Sequence, residues 1–194
     1  MTVAEFKNLI ATCDAKSAAE SIFITDGADR VSDAQVSTIR SKLSTTVGVP
    51  VADIEVRIVG SAKLGFSIVE KNRAGVLLPR YRPFGPDSDI DVAVISSPIF
   101  HQIWDAIGNY SYNSSYFPWR SERLGDYLVC GWLRPDHFPI NVRPCADWSV
   151  CFDRLSRDWS PGSRKVRGGL FYSRDHLIRY QERSVKECQN NLHV

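Results

Sequence analysis

Two aspartates, Asp89 and Asp91, stand two residues apart at the head of the apolar run DIDVAVIS, and a Gly-Ser pair, Gly60-Ser61, closes the earlier run DIEVRIVGS. Side chains alternate along an extended chain, so Ile90, Val92 and Val94 share one face while Asp89 and Asp91 share the other. Adjacent carboxylates repel, and taking them out of water without a partner is costly or shifts their pKa. Something cationic should answer them. Magnesium does so directly, since it prefers oxygen ligands and uses one or two carboxylates together with waters and substrate phosphates; Mn2+ is the alternative ion. A Gly-Ser turn that opens a helix offers backbone N–H groups and a hydroxyl to a phosphate. The two motifs together suit one nucleoside triphosphate.

Positioning them requires two strands. In DIEVRIVG, Ile54, Val56 and Ile58 alternate with Glu55 and Arg57, the period of a half-buried strand, and DIDVAVIS supplies the second. A helix is predicted ahead of them, where Ser32 and Gln35 form a capping-box pattern, Val36, Ile39, Leu43 and Val47 line one face, and Gly48 and Pro50 stop it. An earlier helix carries Val3, Phe6, Ile10 and Cys13 at helical spacing. Between the two motifs, Phe66 to Pro86 has loop composition, with Lys71, Arg73, Arg80 and Arg82 among glycines and prolines. A loop this long in a compact domain is usually functional or disordered.

Beyond the aspartates, Ile99, Phe100, Ile103, Trp104 and Ile107 form a helical stripe, with Ser97 and Pro98 as start signals and Gly108 as a stop. The aromatic stretch holding Tyr110, Tyr112, Tyr116, Phe117 and Trp119 reads as core or interface rather than as a base-stacking platform. FPINVRP reads as a short strand and RKVRGGLFYS as another. SRDHLIRYQERSVKEC is a closing helix capped by Ser173, with Leu177, Ile178, Gln181, Val185 and Cys188 on one side.

A strand ending in Gly60-Ser61 followed by one opening Asp89-Ile90-Asp91 resembles the nucleotidyltransferase superfamily typified by DNA polymerase β. The resemblance covers roughly residues 53–96. It implies an α+β fold with a small mixed sheet and flanking helices, two Mg2+ ions on Asp89 and Asp91, triphosphate contacts from Gly60 and Ser61, and transfer of a nucleoside monophosphate with release of pyrophosphate. Lys63, just after the Gly-Ser, is a candidate phosphate contact or a solvated lysine. The stretch between the motifs is longer than in minimal members, so its Arg80 and Arg82 are candidates to bind the acceptor: a tRNA or other RNA, a protein or a small molecule. By family analogy, the short chain suggests a transferase of toxin–antitoxin or phage-defence type.

Family members also carry a third carboxylate on a later strand. FPINVRP shows Asn141 where it is expected, and Asp136, Asp147 and Asp153 are nearby candidates without strand context. The competing reading is therefore a degenerate module that binds NTP, nucleic acid or a partner protein without transfer.

Composition sets the bounds. At 194 residues the chain suits one domain, with a helical part over 1–50, a catalytic core over about 53–145 and a strand-helix end over 165–190. Its 43% hydrophobic and 24% charged residues are those of a folded globular protein, and a net charge of +2 names no partner. Five cysteines without CxxC spacing argue for free thiols, and the four histidines lack metal-site spacing. No cationic leader or membrane-length apolar run is present, so a cytoplasmic location is expected.

Overall fold

The computed structural model describes residues 1–25, 27–114, 121–138, 141–160 and 163–192. Tyr116, Phe117 and Trp119 of the aromatic stretch, and His193, one of the four histidines, lie outside them. The central feature is a four-stranded mixed sheet in the order β1-β4-β6-β5, from β1 (Glu55–Val59), β4 (Ile90–Ile95), β5 (Trp132–Leu133) and β6 (Val166–Phe171). Strand β4 pairs antiparallel with β1 and parallel with β6, and β5 pairs antiparallel with β6. A parallel neighbour needs a long crossover, and the helices between β4 and β6 provide it. The chain is thus mixed α+β, with a small sheet and eight α-helices among the described residues.

Alternation along the strands divides the apolar residues between the two faces. Ile90, Val92 and Val94 of β4 join Val56 and Ile58 of β1 and Val166 and Leu170 of β6 in the largest core, under α3 (Asp33–Val47), α5 (Ser97–Asn113) and α7 (Arg143–Arg157). The opposite face carries Ala93, Ile95 and Phe171 against Leu177 of α8 (Arg174–Asn190). Helix α8 in turn packs on α1 (Val3–Thr12) and α2 (Ala15–Phe23), burying Phe6, Ile10, Ile22 and Phe23 with Val185 and Cys188. Each such large apolar side chain withdrawn from water contributes about 1.5–3 kcal/mol.

The helix ends follow from local chemistry. Both halves of the capping box at Ser32 and Gln35 are formed, and Gly48 closes α3 with φ +71°, a left-handed angle that costs glycine little. Ser96 caps α5 through a hydrogen bond that its hydroxyl accepts from the Ile99 N–H.

Four sequence expectations need correction. Helix α5 runs through Gly108 to Asn113, and Trp104 on its stripe is 47% exposed. Of the FPINVRP strand, Pro139 and Ile140 lie outside the described residues, Asn141 is exposed in a turn, and α7 begins at Arg143 with Pro144 in its first turn, where a missing N–H is harmless. The stretch from Phe66 to Pro86 is a built element, with the hairpin β2 (Lys71–Arg73) and β3 (Val76–Leu78) and a bridge between Phe66 and Pro83. Helix α6 (Ser121–Val129), like α2 and α7, is additional to the helices the sequence predicts. All five cysteines are free, with Cys145, Cys151 and Cys188 buried.

Gly168 shows how tightly the sheet packs under α7. A Cβ there would overlap Phe152 and lie 2.7 Å from Trp148 Cζ2. Gly168→Ala is expected to destabilise the fold by about 1–3 kcal/mol through overpacking, read as a lower melting temperature or denaturant midpoint. An unchanged midpoint would contradict the packing described here.

Candidate functional site

The Gly-Ser and Asp-x-Asp motifs meet at one end of the sheet. Register pairs Val59, the last residue of β1, with Asp91 of β4, so the chain leaves β1 beside the Asp91 carboxylate. There Gly60 turns with φ +62° into the short helix α4 (Gly60–Leu64). A Cβ on Gly60 would stand 2.9 Å from Asp91 Oδ2, so the backbone passes the carboxylate so closely that any other residue would have to push it aside. The Ser61 hydroxyl has no hydrogen-bond partner among the described residues, and its carbonyl accepts the Gly65 N–H that closes α4.

Asp89 is set by the turn before it. Ser88 N–H donates to Gly85 O at 3.1 Å and Gly85 N–H to Ser88 Oγ at 3.0 Å. Arg164 then clamps this turn, its Nη1 donating to the carbonyls of Gly85 at 2.8 Å, Pro86 at 3.2 Å and Ser88 at 2.9 Å, while its guanidinium lies over the Phe84 ring. Asp89 itself pairs with Arg167 of β6, Nε to Oδ2 at 2.7 Å. Arg167 is the register partner of Asp91 in the parallel pair, so it shares the sheet face with both carboxylates.

Asp91 differs from its neighbour. No hydrogen bond or ion pair reaches its carboxylate from the described residues, and burial pushes its pKa above the usual carboxylate range. The charge on Asp89 adds to that rise, while Lys71, Arg167 and Arg134 oppose it in that order. The phenol of Tyr180 on α8 is also pushed up, first by burial and then by the Asp91 charge. Tyr180 and Tyr127 flank Trp132 with ring centroids 4.7 and 4.5 Å away.

The remaining predicted site residues have other partners. Lys63 Nζ donates to the carbonyls of Thr25, at 2.8 Å, and Gly27, tying α4 to the segment between α2 and α3. Arg82 Nη1 donates to Leu78 O at 2.9 Å and Pro79 O at 2.6 Å, holding the hairpin's base closed. Arg80 pairs with Glu187 of α8 at 3.6 Å. Both arginines, candidates from the sequence to bind the acceptor, thus have partners within the protein.

Among the described residues no third acid joins the pair. Asp136 lies in a short 3-10 turn and pairs with Arg134 at 2.8 Å, while Asp147 and Asp153 lie on α7. The residue beside Asp91 on the neighbouring strand is the base Arg167, and no group of three or more His, Cys, Asp or Glu among the described residues is arranged to hold a metal ion. The donor chemistry suits a hard cation of the magnesium type all the same, since such ions take one or two carboxylates and complete their shell with water and phosphate oxygens. Asp91, half-buried and without a partner among the described residues, is the freer of the two donors, and Asp89 is already partly neutralised by Arg167.

Sequence reasoning missed Arg164, Arg167, Arg134 and Tyr180. The first two lie in the recognisable strand segment RKVRGGLF, but nothing local in that segment says that it lies next to β4. Among the described residues no helix is long and apolar enough to cross a membrane. Comparisons of the chain with protein-family models, with curated proteins and with solved structures gave no match.

Proposed function

We propose that this protein binds a nucleoside triphosphate together with Mg2+ where β1, α4 and β4 meet, and transfers the nucleoside monophosphate to an acceptor hydroxyl with release of pyrophosphate. The observation that carries the reading is the approach of Gly60 to Asp91. Two motifs far apart in sequence converge at one strand end, where a left-handed turn at residue 60 brings the backbone so near the Asp91 carboxylate that a Cβ would displace it. Asp91 and Asp89 are the residues that would hold the ion. Bound there, Mg2+ would supply charge neutralisation at the transferring phosphoryl group. The Ser61 hydroxyl is free to donate to a phosphate oxygen. Lys71, Arg134 and Arg167 place positive charge around Asp91, the field that a polyanionic substrate requires. The acceptor is an RNA such as tRNA, a protein or a small molecule.

A second reading is favoured by Arg167. An arginine beside Asp91, paired with Asp89, and no third acid near the pair among the described residues suit a nucleotide-binding module that does not transfer. Incubation with α-labelled NTPs, Mg2+, pooled RNA and pooled protein separates the two. Transfer of label, reduced at least about 100-fold in Asp89→Ala as for loss of one electrostatic stabiliser, supports the enzyme. Nucleotide binding without label transfer supports the module, and neither binding nor transfer rejects both.

A further inference from the structure

The ion pair between Arg167 and Asp89 bears on how many cations the site takes, given the reading of Asp89 and Asp91 as a metal–nucleotide site, on which this inference rests. We infer that Arg167 occupies the place of a second cation, so that the site takes one divalent ion, through Asp91 and the triphosphate, rather than the two that the family resemblance implies.

In two-ion phosphoryl-transfer sites the metals stand about 3.5–4 Å apart and share their carboxylates. A guanidinium already stands 2.7 Å from Asp89 Oδ2. It brings a full positive charge to the carboxylate. Nor is it a stray surface side chain. The strand ladder pairs Ile90 with Val166 and Val92 with Gly168 on either side of the Asp91–Arg167 pair, so the Arg167 backbone is fixed beside the carboxylates. A second dication on Asp89 would have to displace this arginine or tolerate it at contact distance.

The surroundings point the same way. Lys71 and Arg134 add their charges at Asp91, so much of the positive charge that a second ion would bring to a triphosphate is already present in side chains. No further acid is available to hold such an ion, since no cluster of three acids or other metal-binding side chains occurs among the described residues. Arginine also suits the task chemically. Its planar fork can grip a carboxylate and a phosphate oxygen together, which a hydrated lysine does less well.

The test counts ions rather than turnover. Mn2+ is titrated into the full chain with a non-hydrolysable NTP analogue, and free Mn2+ is followed by electron paramagnetic resonance. One Mn2+ per chain is expected for the wild type and for Arg167→Lys, which keeps the charge. Arg167→Gln is expected to take up a second Mn2+ or to bind the first roughly tenfold more tightly, the scale on which groups around metal ligands act. The side chain is 42% exposed, so both variants should fold, which melting curves check. Two Mn2+ in the wild type, or an Arg167→Gln variant identical to wild type in number and affinity, would overturn the inference while Asp91-dependent binding kept the underlying reading intact. Absence of Mn2+ binding in every protein, or binding unchanged in Asp91→Asn, would instead reject the metal–nucleotide reading and the inference with it.

Discussion

Asp91→Asn is expected to abolish Mg2+-dependent nucleotide binding and, at neutral pH, to give a protein that melts at a higher temperature than the wild type. Both effects have one cause. The Asp91 carboxylate is held without a hydrogen-bond or ion-pair partner among the described residues, and burial disfavours its charged form more than Lys71, Arg167 and Arg134 favour it. A carboxyl whose pKa is raised on folding binds more protons in the native state than in the unfolded chain, between its unfolded value and its folded one. Stability therefore falls as pH rises through that window, and above it the full penalty is present. Asparagine keeps the shape and cannot ionise, so the variant escapes the penalty. Its advantage should be largest at neutral pH and should shrink as the pH drops toward the ordinary carboxylate range. Thermal melts of both proteins across that range measure it. A melting temperature below wild type at neutral pH, with cation affinity unchanged, would make Asp91 a structural residue and remove it from the site.

Gly60→Ala should have the opposite effect on stability and a similar effect on binding. At φ +62° an alanine costs about 1–2 kcal/mol more than glycine, because its Cβ crowds the following carbonyl. In addition, that Cβ would meet Asp91 Oδ2 at 2.9 Å, so the carboxylate has to move or the turn has to open. We expect a lower melting temperature and at least a tenfold loss of nucleotide affinity, about 1.4 kcal/mol or more. Gly48→Ala is the control. It has the same kind of backbone angle, φ +71°, but no atom within 4 Å of its added Cβ, and it lies at the end of α3. It should lose stability while binding nucleotide as the wild type does. Equal binding losses in the two variants would mean that Gly60 acts through general stability rather than through its closeness to Asp91.

Where several local signals agree, the sequence is a good guide to this fold. Ser32, Gln35 and Gly48 mark α3 at both ends, and the predicted inner stripe of α8, Leu177, Ile178, Gln181, Val185 and Cys188, is buried residue for residue. The alternation in β1 and β4 is equally plain, since each strand has one face in the main core. The failures have physical reasons. Helix α2 buries Ala15, Ala18 and Ala19, whose small side chains give a weak hydropathy signal. Helix α7 does carry a usable pattern, with Pro144 in its first turn and Cys145, Trp148, Phe152 and Leu155 buried at helical spacing, but the strand-like FPINVRP overlaps its start. The hairpin β2–β3 leaves Val76 and Leu77 exposed, so no buried face distinguishes it from a loop.

The candidate site was legible to the same degree. Asp89, Asp91, Gly60 and Ser61 could be named from motif and resemblance, because residue type and strand context are local. Arg164 and Arg167 could not, because their importance comes from β6 lying parallel to β4, a long-range pairing that no window of sequence contains. The partners of Arg80 and Arg82 were hidden in the same way. The arginines' charges are visible in the sequence, whereas Glu187 and the carbonyls of Leu78 and Pro79 that engage them are brought there only by folding.

The central claim is that Gly60-Ser61 and Asp89-Asp91 form one nucleotide site whose affinity depends on a divalent ion. The most direct measurement is isothermal titration of the wild type and Asp91→Asn with non-hydrolysable analogues of the four NTPs, once in Mg2+ and once in EDTA. Saturable binding of at least one analogue by the wild type in Mg2+ is expected, with no binding in EDTA and none by Asp91→Asn in either condition. No binding of any analogue in Mg2+, or binding that survives both EDTA and Asp91→Asn, would contradict the claim.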